Sequence, residues 1–206
     1  MAAVDLPALL ALAAVLGFAS GIRLYAVVLI VGLVGWVGWV ELPAGLAVLA
    51  HPGVLIAAGV MFGVEFVADK IPVVDSLWDS LHTFIRIPAG AALAAGLLGV
   101  STDSAAWGTI GALLGGTLAA TSHFTKAGAR AALNTSPEPV TNWAASFSED
   151  ALVAGLLALL FAWPWAAFAV VLGLVVAAVW LLWWLARVAR RVLRPDDRAT
   201  PLRSRA

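Results

Sequence analysis

Apolar runs of sixteen to more than thirty residues recur along almost the whole of this 206-residue chain. A soluble domain has no use for so many; a chain that buries its helices in lipid requires them. Sixty-three percent of the residues are hydrophobic and only 12% are charged, about half the charged share of an average soluble protein. The expected fold class is therefore all-α, a polytopic integral membrane protein. It has six to seven membrane segments, some of them interrupted or half-helices. The natural division is a single transmembrane domain over 1–190 and a basic, disordered tail over 191–206. There are no cysteines, which excludes disulfides and thiolate chemistry.

Against that background Val64–Arg86 stands out. It carries Glu65, Asp69, Lys70, Asp75, Asp79, His82 and Arg86 between apolar neighbours. Asp75, Asp79, His82 and Arg86 recur at helical spacing, so one helix presents all four on a single stripe. A second stripe follows in Ser122–Asn134, where His123, Lys126, Arg130 and Asn134 share a face. The first stripe begins acidic and the second is basic. Pairing of Asp75 and Asp79 with Lys126 and Arg130 is expected, and of Glu65 or Asp69 with Arg23. A charged side chain at the bilayer centre costs roughly 2.5–3.5 kcal/mol on the insertion scale, so these groups must be paired, wet or superficial. Two readings leave out a substrate: a buried ion-pair network that fixes helix register, and a surface helix over Val73–Arg86.

The first apolar run, Leu6–Val40, would be about 52 Å long as one helix, too long for one crossing. Two readings are open: a break at Ser20-Gly21, giving a short half-helix, a break carrying Arg23 and a span to Trp39, or a single tilted helix whose Arg23 snorkels or pairs locally. Glu41–Pro52 reads as a loop or interfacial piece. Gly53–Ala68 is the next span, with Gly59 and Gly63 forming a small-residue face. Pro72 restarts the chain, and Pro88 separates the polar helix from apolar Ala89–Val100. Ala105–Thr121, rich in glycine, should pack tightly. Thr135–Ser148 reads as a loop and Glu149-Asp150 as the acidic start of the next helix; Ala151–Ala162 is too short to span alone, so that helix either begins earlier, near Trp143, or is a second half-helix. Ala166–Ala186 is the clearest single span. The halves of the chain compare loosely, in the manner of inverted repeats with interrupted helices.

Seven arginines stand from Arg187 onward. By the positive-inside rule this C-terminus is cytoplasmic, in a multi-pass protein of the cell's cytoplasmic membrane. The N-terminus lacks the basic start of a signal peptide.

The polar pieces also carry a family likeness. They are Ala19-Ser20-Gly21-Ile22-Arg23; Glu65 through Asp69-Lys70-Ile71-Pro72 to Asp75, with Asp79; His123 through Lys126 and Gly128 to Arg130; and Ser148-Glu149-Asp150. In these the chain resembles domain-of-unknown-function family 4126, uncharacterised bacterial integral membrane proteins. The likeness covers Gly17 to Leu160. The segment Asn134–Pro139 differs from the glycine-rich loop of many members. The resemblance implies an integral membrane protein and carries no activity with it.

The functional expectation is transport or permeation of a small ion or polar solute, proton-coupled, through the central polar cluster. Arg23, Glu65, Asp69, Lys70, Asp75, Asp79, His82, Arg86, His123, Lys126, Arg130, Asn134, Glu149 and Asp150 are its pathway candidates. Asp75, Asp79 and His82 are the proton or cation carriers. The alternatives are a membrane-embedded enzyme acting on a lipid or lipid-linked phosphate, with Lys126 and Arg130 as anion contacts, and a non-catalytic membrane component. Metal ligation by His82 and His123 with nearby acids lacks a zinc-type motif. No hydrolase elbow is present, so the reading leans away from an enzyme, names no catalytic residue and calls for no cofactor or metal. Expected partners are the lipid bilayer and the unknown solute, with homo-oligomers through glycine-rich helix faces and no nucleic acid.

Overall fold

The computed structural model describes residues 6–134 and 138–193. Among these residues every regular element is helical. The long helices are α1 (Leu6–Trp36), α2 (Pro52–Ala68), α3 (Pro72–Ser101), α4 (Ala105–Leu133), α5 (Pro139–Ala162) and α6 (Pro164–Leu193), with a short 3-10 helix over Ala44–Ala50 before α2. The seven helical segments make a polytopic all-α membrane protein. By length and composition α1, α3, α5 and α6 each qualify as membrane spans, α1 only when its break at Arg23 is disregarded, and the 3-10 helix with α2 forms a further pair, bent by 68°.

α1 is broken at Arg23, whose φ −143° and ψ 75° are not helical. The chain folds back there. Gly17 lies against Gly115, and Gly21 against Ala119 and Ser122, so residues 6–22 climb alongside α4 in the same direction. Past the break the course reverses. Tyr25 meets His82, Val28 shares a cavity wall with Leu93, and Gly32 touches Leu49. Leu16 and Val31 line one cavity, whereas in a straight helix fifteen residues would hold them about 22 Å apart. The expected break therefore falls at Arg23 itself, and the two arms form a re-entrant V with Arg23 at its tip.

α3 and α4 form an antiparallel pair that runs the length of the molecule, with Gly90 against Gly115, Gly111 against Ala94, and Gly99 against Gly108. Small residues let the backbones approach, as expected for this glycine-rich span. Gly59 and Gly63 do not serve that purpose within the chain. The nearest atom to a methyl on Gly59 is Leu29 Cδ1 at 3.9 Å, and a methyl on Gly63 meets nothing within 4 Å. Gly63→Ala should accordingly be neutral or stabilise by about 0.5–1 kcal/mol through helix propensity. Thermal unfolding in detergent checks this, and a fall in Tm would place a partner against that face.

Several expected boundaries are corrected. Pro88 sits inside continuous α3 and does not end the polar helix; membrane helices tolerate such prolines more readily than soluble ones. Ala105–Thr121 and Ser122–Asn134 are one helix, with Asn134 as its C-cap. Much of the expected loop Thr135–Ser148 is helix: α5 begins at Pro139, proline at the first position suiting a helix start, so Ala151–Ala162 is only its second half. Residues 135–137 of that expected loop, and the tail from 194 onward, lie outside the described residues. Trp163-Pro164 does separate α5 from α6.

The apolar core lies between both arms of α1, α3, α5 and α6, around Leu16, Val27, Leu97 and Leu157. Opposite it, the α2–α3 turn, the last turns of α4 and the first turns of α5 come together at one end, through the bonds of Arg130 and Asn142 to the Asp69 carbonyl. Leu185 of α6 contacts Gly128, so the arginine-bearing end of α6 lies at that same end.

Candidate polar site inside the helix bundle

Five helices and one turn deliver the expected polar residues to a single buried cluster. Arg23 comes from the tip of the V and Glu65 from the last turn of α2. Asp69 and Lys70 form the α2–α3 turn; Asp75, Asp79, His82 and Arg86 line α3. His123, Lys126 and Arg130 come from α4, capped by Asn134, and Glu149 and Asp150 from α5. Arg23, Glu65, Asp69, Asp75, Arg86 and His123 are all 0% exposed. That burial overturns the surface-helix alternative for Val73–Arg86.

The guanidinium of Arg23 pairs with Asp69, lies 3.0 Å from Asp150 and 3.3 Å from Glu149, and donates to Ser146 Oγ at 3.0 Å. Lys126 lies 3.1 Å from Asp69, 3.3 Å from Asp79 and 3.4 Å from Glu149. Arg130 grips both oxygens of Glu149, at 2.7 and 3.1 Å, donates to Asn142 Oδ1 at 2.8 Å, and approaches Asp75 at 3.8 Å. Such two-pronged contacts are the strong form of ion pair. Arg86 joins Glu65 and, at 2.6 Å, Asp79. The expected pairs Asp79–Lys126, Asp75–Arg130 and Asp69–Arg23 are therefore present, whereas Glu65 takes Arg86 in place of Arg23. Glu149 and Asp150 sit in the third turn of α5, so side-chain pairing, not the helix dipole, accounts for them.

The histidines have fixed roles. Nδ1 of His82 must donate to the Trp78 carbonyl at 2.8 Å, which leaves Nε2 facing the Tyr25 hydroxyl at 3.1 Å. Nδ1 of His123 lies 3.3 Å from Arg86, and the ring also reaches the Gly21 carbonyl. Thr83 gives its proton to the Asp79 carbonyl and so accepts from His123 Nε2 at 2.7 Å. Neither ring is turned to the carboxylates as a metal ligand. Asn134 donates to Ser76 at 2.9 Å and reaches Asp75 at 3.4 Å. Lys70 stands at the rim, its ammonium 3.0 Å from the centre of the Phe66 ring; burial holds it below the usual lysine range, and Asp150 offsets only part of that.

Tyr25, Thr83 and Ser146 were not legible as site residues. Thr83 lies one turn after Asp79 on the same stripe, and Tyr25 is the chain's single tyrosine, two residues past the break. Ser146 offers no comparable signal.

A cavity of about 310 Å³ opens beside the cluster, with Lys126, Arg130 and Glu149 on one wall and Phe18, Leu174 and Leu181 on the other.

The family model described as "Domain of unknown function (DUF4126)" matches residues 10–184. The chain belongs to that family. The match reaches beyond the Gly17–Leu160 likeness at both ends and takes in all the candidate residues. No curated protein and no solved structure matches the chain. In this DUF4126 protein the residues that carried the likeness, Arg23, Asp69, Asp75, Asp79, Lys126, Arg130 and Glu149, are those that converge on the cluster.

Proposed function

We propose that this protein carries a small ion or polar solute across the cytoplasmic membrane through the buried cluster, coupled to protons. The observation that carries the reading is an imbalance of charge. Six carboxylates (Glu65, Asp69, Asp75, Asp79, Glu149 and Asp150) face four bases (Arg23, Arg86, Lys126 and Arg130) within one ion-pair network, with Lys70 at the rim as a fifth cation near Asp150, so the acids outnumber the bases. A network serving helix register alone has no need of surplus buried carboxylates, each of which is costly in low dielectric. A site that takes up protons or cations has that need. The broken α1, with its tip among the charges, suits a pathway as well. Interrupted helices in transporters place a polar break within the membrane and leave the arms free to shift.

Asp75, Asp79 and His82 serve as proton or cation carriers, Glu65 and Asp69 as gating or pairing acids, and Lys126 and Arg130 as counter-charges. Arg187 and Arg190 in the last turns of α6 lie toward the same end as the α2–α3 turn, so with a cytoplasmic C-terminus the nearer mouth of the cluster would face the cytoplasm. A lipid-phosphate enzyme would need free donors on Lys126 and Arg130, and the ion pairs and carbonyl contacts around both already occupy them.

Proteoliposomes carrying a pH-sensitive dye test the proposal. An imposed ion gradient should change internal pH with the wild type and lose most of that response with Asp79→Asn. Equal responses from protein-loaded and empty vesicles would defeat it.

A further inference from the structure

We infer, building on the transport reading of the cluster, that Phe66, Phe147 and Ser146 form a seat for a primary ammonium ion at its mouth, with Lys70 as the built-in occupant. The solute is thereby narrowed to cations of the ammonium type. Lys70 is the exception among the cluster's cations. Arg23, Arg86, Lys126 and Arg130 each form ion pairs with its acids. Lys70, one residue from Asp69, forms none among the described residues. Its ammonium lies instead 3.0 Å from the centre of the Phe66 ring and 4.7 Å from that of Phe147. The two rings meet edge to face at 5.9 Å, walling a corner between α2 and α5. In that corner the ammonium donates to the Phe66 carbonyl at 2.9 Å and reaches Ser146 Oγ at 3.5 Å.

The end of α2 builds this corner. There the backbone N–H of Lys70 bonds to the Val67 carbonyl, one residue later than the usual helical partner, Phe66. The Phe66 carbonyl is left to face a cation, at the helix end where positive charge is favoured. The chemistry of the corner selects its guest. Ring faces attract ammonium groups, and a primary ammonium brings three N–H donors to the oxygens. A hard divalent cation takes roughly six or more oxygen ligands, and two are offered here. An anion meets only a carbonyl, a hydroxyl and the negative faces of two rings. Ser146 joins the seat to the acids, since its hydroxyl also accepts from Arg23 at 3.0 Å, and Arg23 lies 3.0 Å from Asp150. A free ammonium that displaces Lys70 is one step from the cluster.

Vacating the seat tests it. Full-length Lys70→Ala in detergent should bind methylammonium saturably, read as a rise in Tm above that in equal NaCl which levels off with concentration. Adding Phe66→Leu should weaken that binding about fivefold, the loss of one ring face. Should Lys70→Ala fail to fold, the wild type decides. Lys70 and Lys126 are the chain's two lysines, so ¹³C-lysine NMR resolves both. Methylammonium should return the ring-shifted Lys70 signals toward those of free lysine and leave Lys126 in place, whereas NaCl should move neither. No saturable effect of methylammonium on folded Lys70→Ala, an equal effect of NaCl, or indifference to Phe66→Leu overturns the seat. So does a wild-type Lys70 signal that methylammonium leaves fixed, where that measurement decides. Methylammonium binding without ion-driven pH change keeps the seat and removes the transport reading. Ion-driven pH change without methylammonium binding does the reverse.

Discussion

Arg86→Leu should destabilise the protein by about 3–5 kcal/mol, the usual cost of removing one partner from a buried pair. Arg86 is 0% exposed, and it is the only ion-pair partner that Glu65 has among the described residues. Asp79 would keep Lys126 at 3.3 Å, but Glu65, also fully buried, would keep nothing. His123 would lose the guanidinium 3.3 Å from its Nδ1. The double variant Arg86→Leu with Glu65→Gln should recover part of the loss, because the stranded charge is gone. Arg86→Lys should fall between, since an ammonium cannot reproduce the guanidinium fork that spans two carboxylates. Thermal unfolding of detergent-solubilised protein measures all three. A single variant within about 1 kcal/mol of the wild type, a typical exposed-pair effect, would mean that water reaches Glu65 and Asp79.

Gly21→Ala should cost about 1–3 kcal/mol by overpacking and should damage transport beyond its effect on stability. A methyl at Gly21 would lie 2.1 Å from Ser122 Oγ and 2.2 Å from the Ala119 carbonyl oxygen. The hydroxyl can rotate away, but the carbonyl belongs to helical backbone and cannot. The first arm of α1 must then back off from α4, dragging the tip of the V with it. Arg23 follows two residues later, and Lys126 touches the Ile22 carbonyl at 3.5 Å, so the displacement reaches the ion pairs directly. Vesicle flux normalised to folded protein gives the answer. Unchanged flux per folded molecule would show that the tip position is not part of the pathway. Gly63→Ala, in open space, is the matched control.

The contrast between these glycines shows how much the sequence could tell. Gly21 reads as part of a helix break and Gly59–Gly63 as a small-residue helix face. Only the fold places Gly21 against a backbone and leaves Gly63 bare. Glu149 and Asp150 teach a similar lesson. Two acids after a loop-like stretch suggest a helix N-terminus, but α5 starts at Pro139, ten residues before Glu149. The local signal was real chemistry, acids needing positive charge, yet the positive charge comes from Arg23, Lys126 and Arg130. Pro88 misled in the other direction, because proline breaks isolated helices more readily than helices braced by neighbours.

The apolar runs determined by themselves that the chain is helical and membrane-embedded, since no other backbone arrangement satisfies its hydrogen bonds in lipid. Helical periodicity determined that Asp75, Asp79, His82 and Arg86 share a face, as do His123, Lys126 and Arg130, because that spacing is a property of one helix alone. The sign of the charges made several of the pairings foreseeable. Tertiary structure decided what no local pattern contains: that α1 folds back at Arg23, that Glu65 belongs to Arg86, that Ser146 and Tyr25 join the site, and that Lys70 rests against phenylalanine rings from two different helices. Those facts depend on distances between segments far apart in the chain, and such distances are set by the packing of helices against one another.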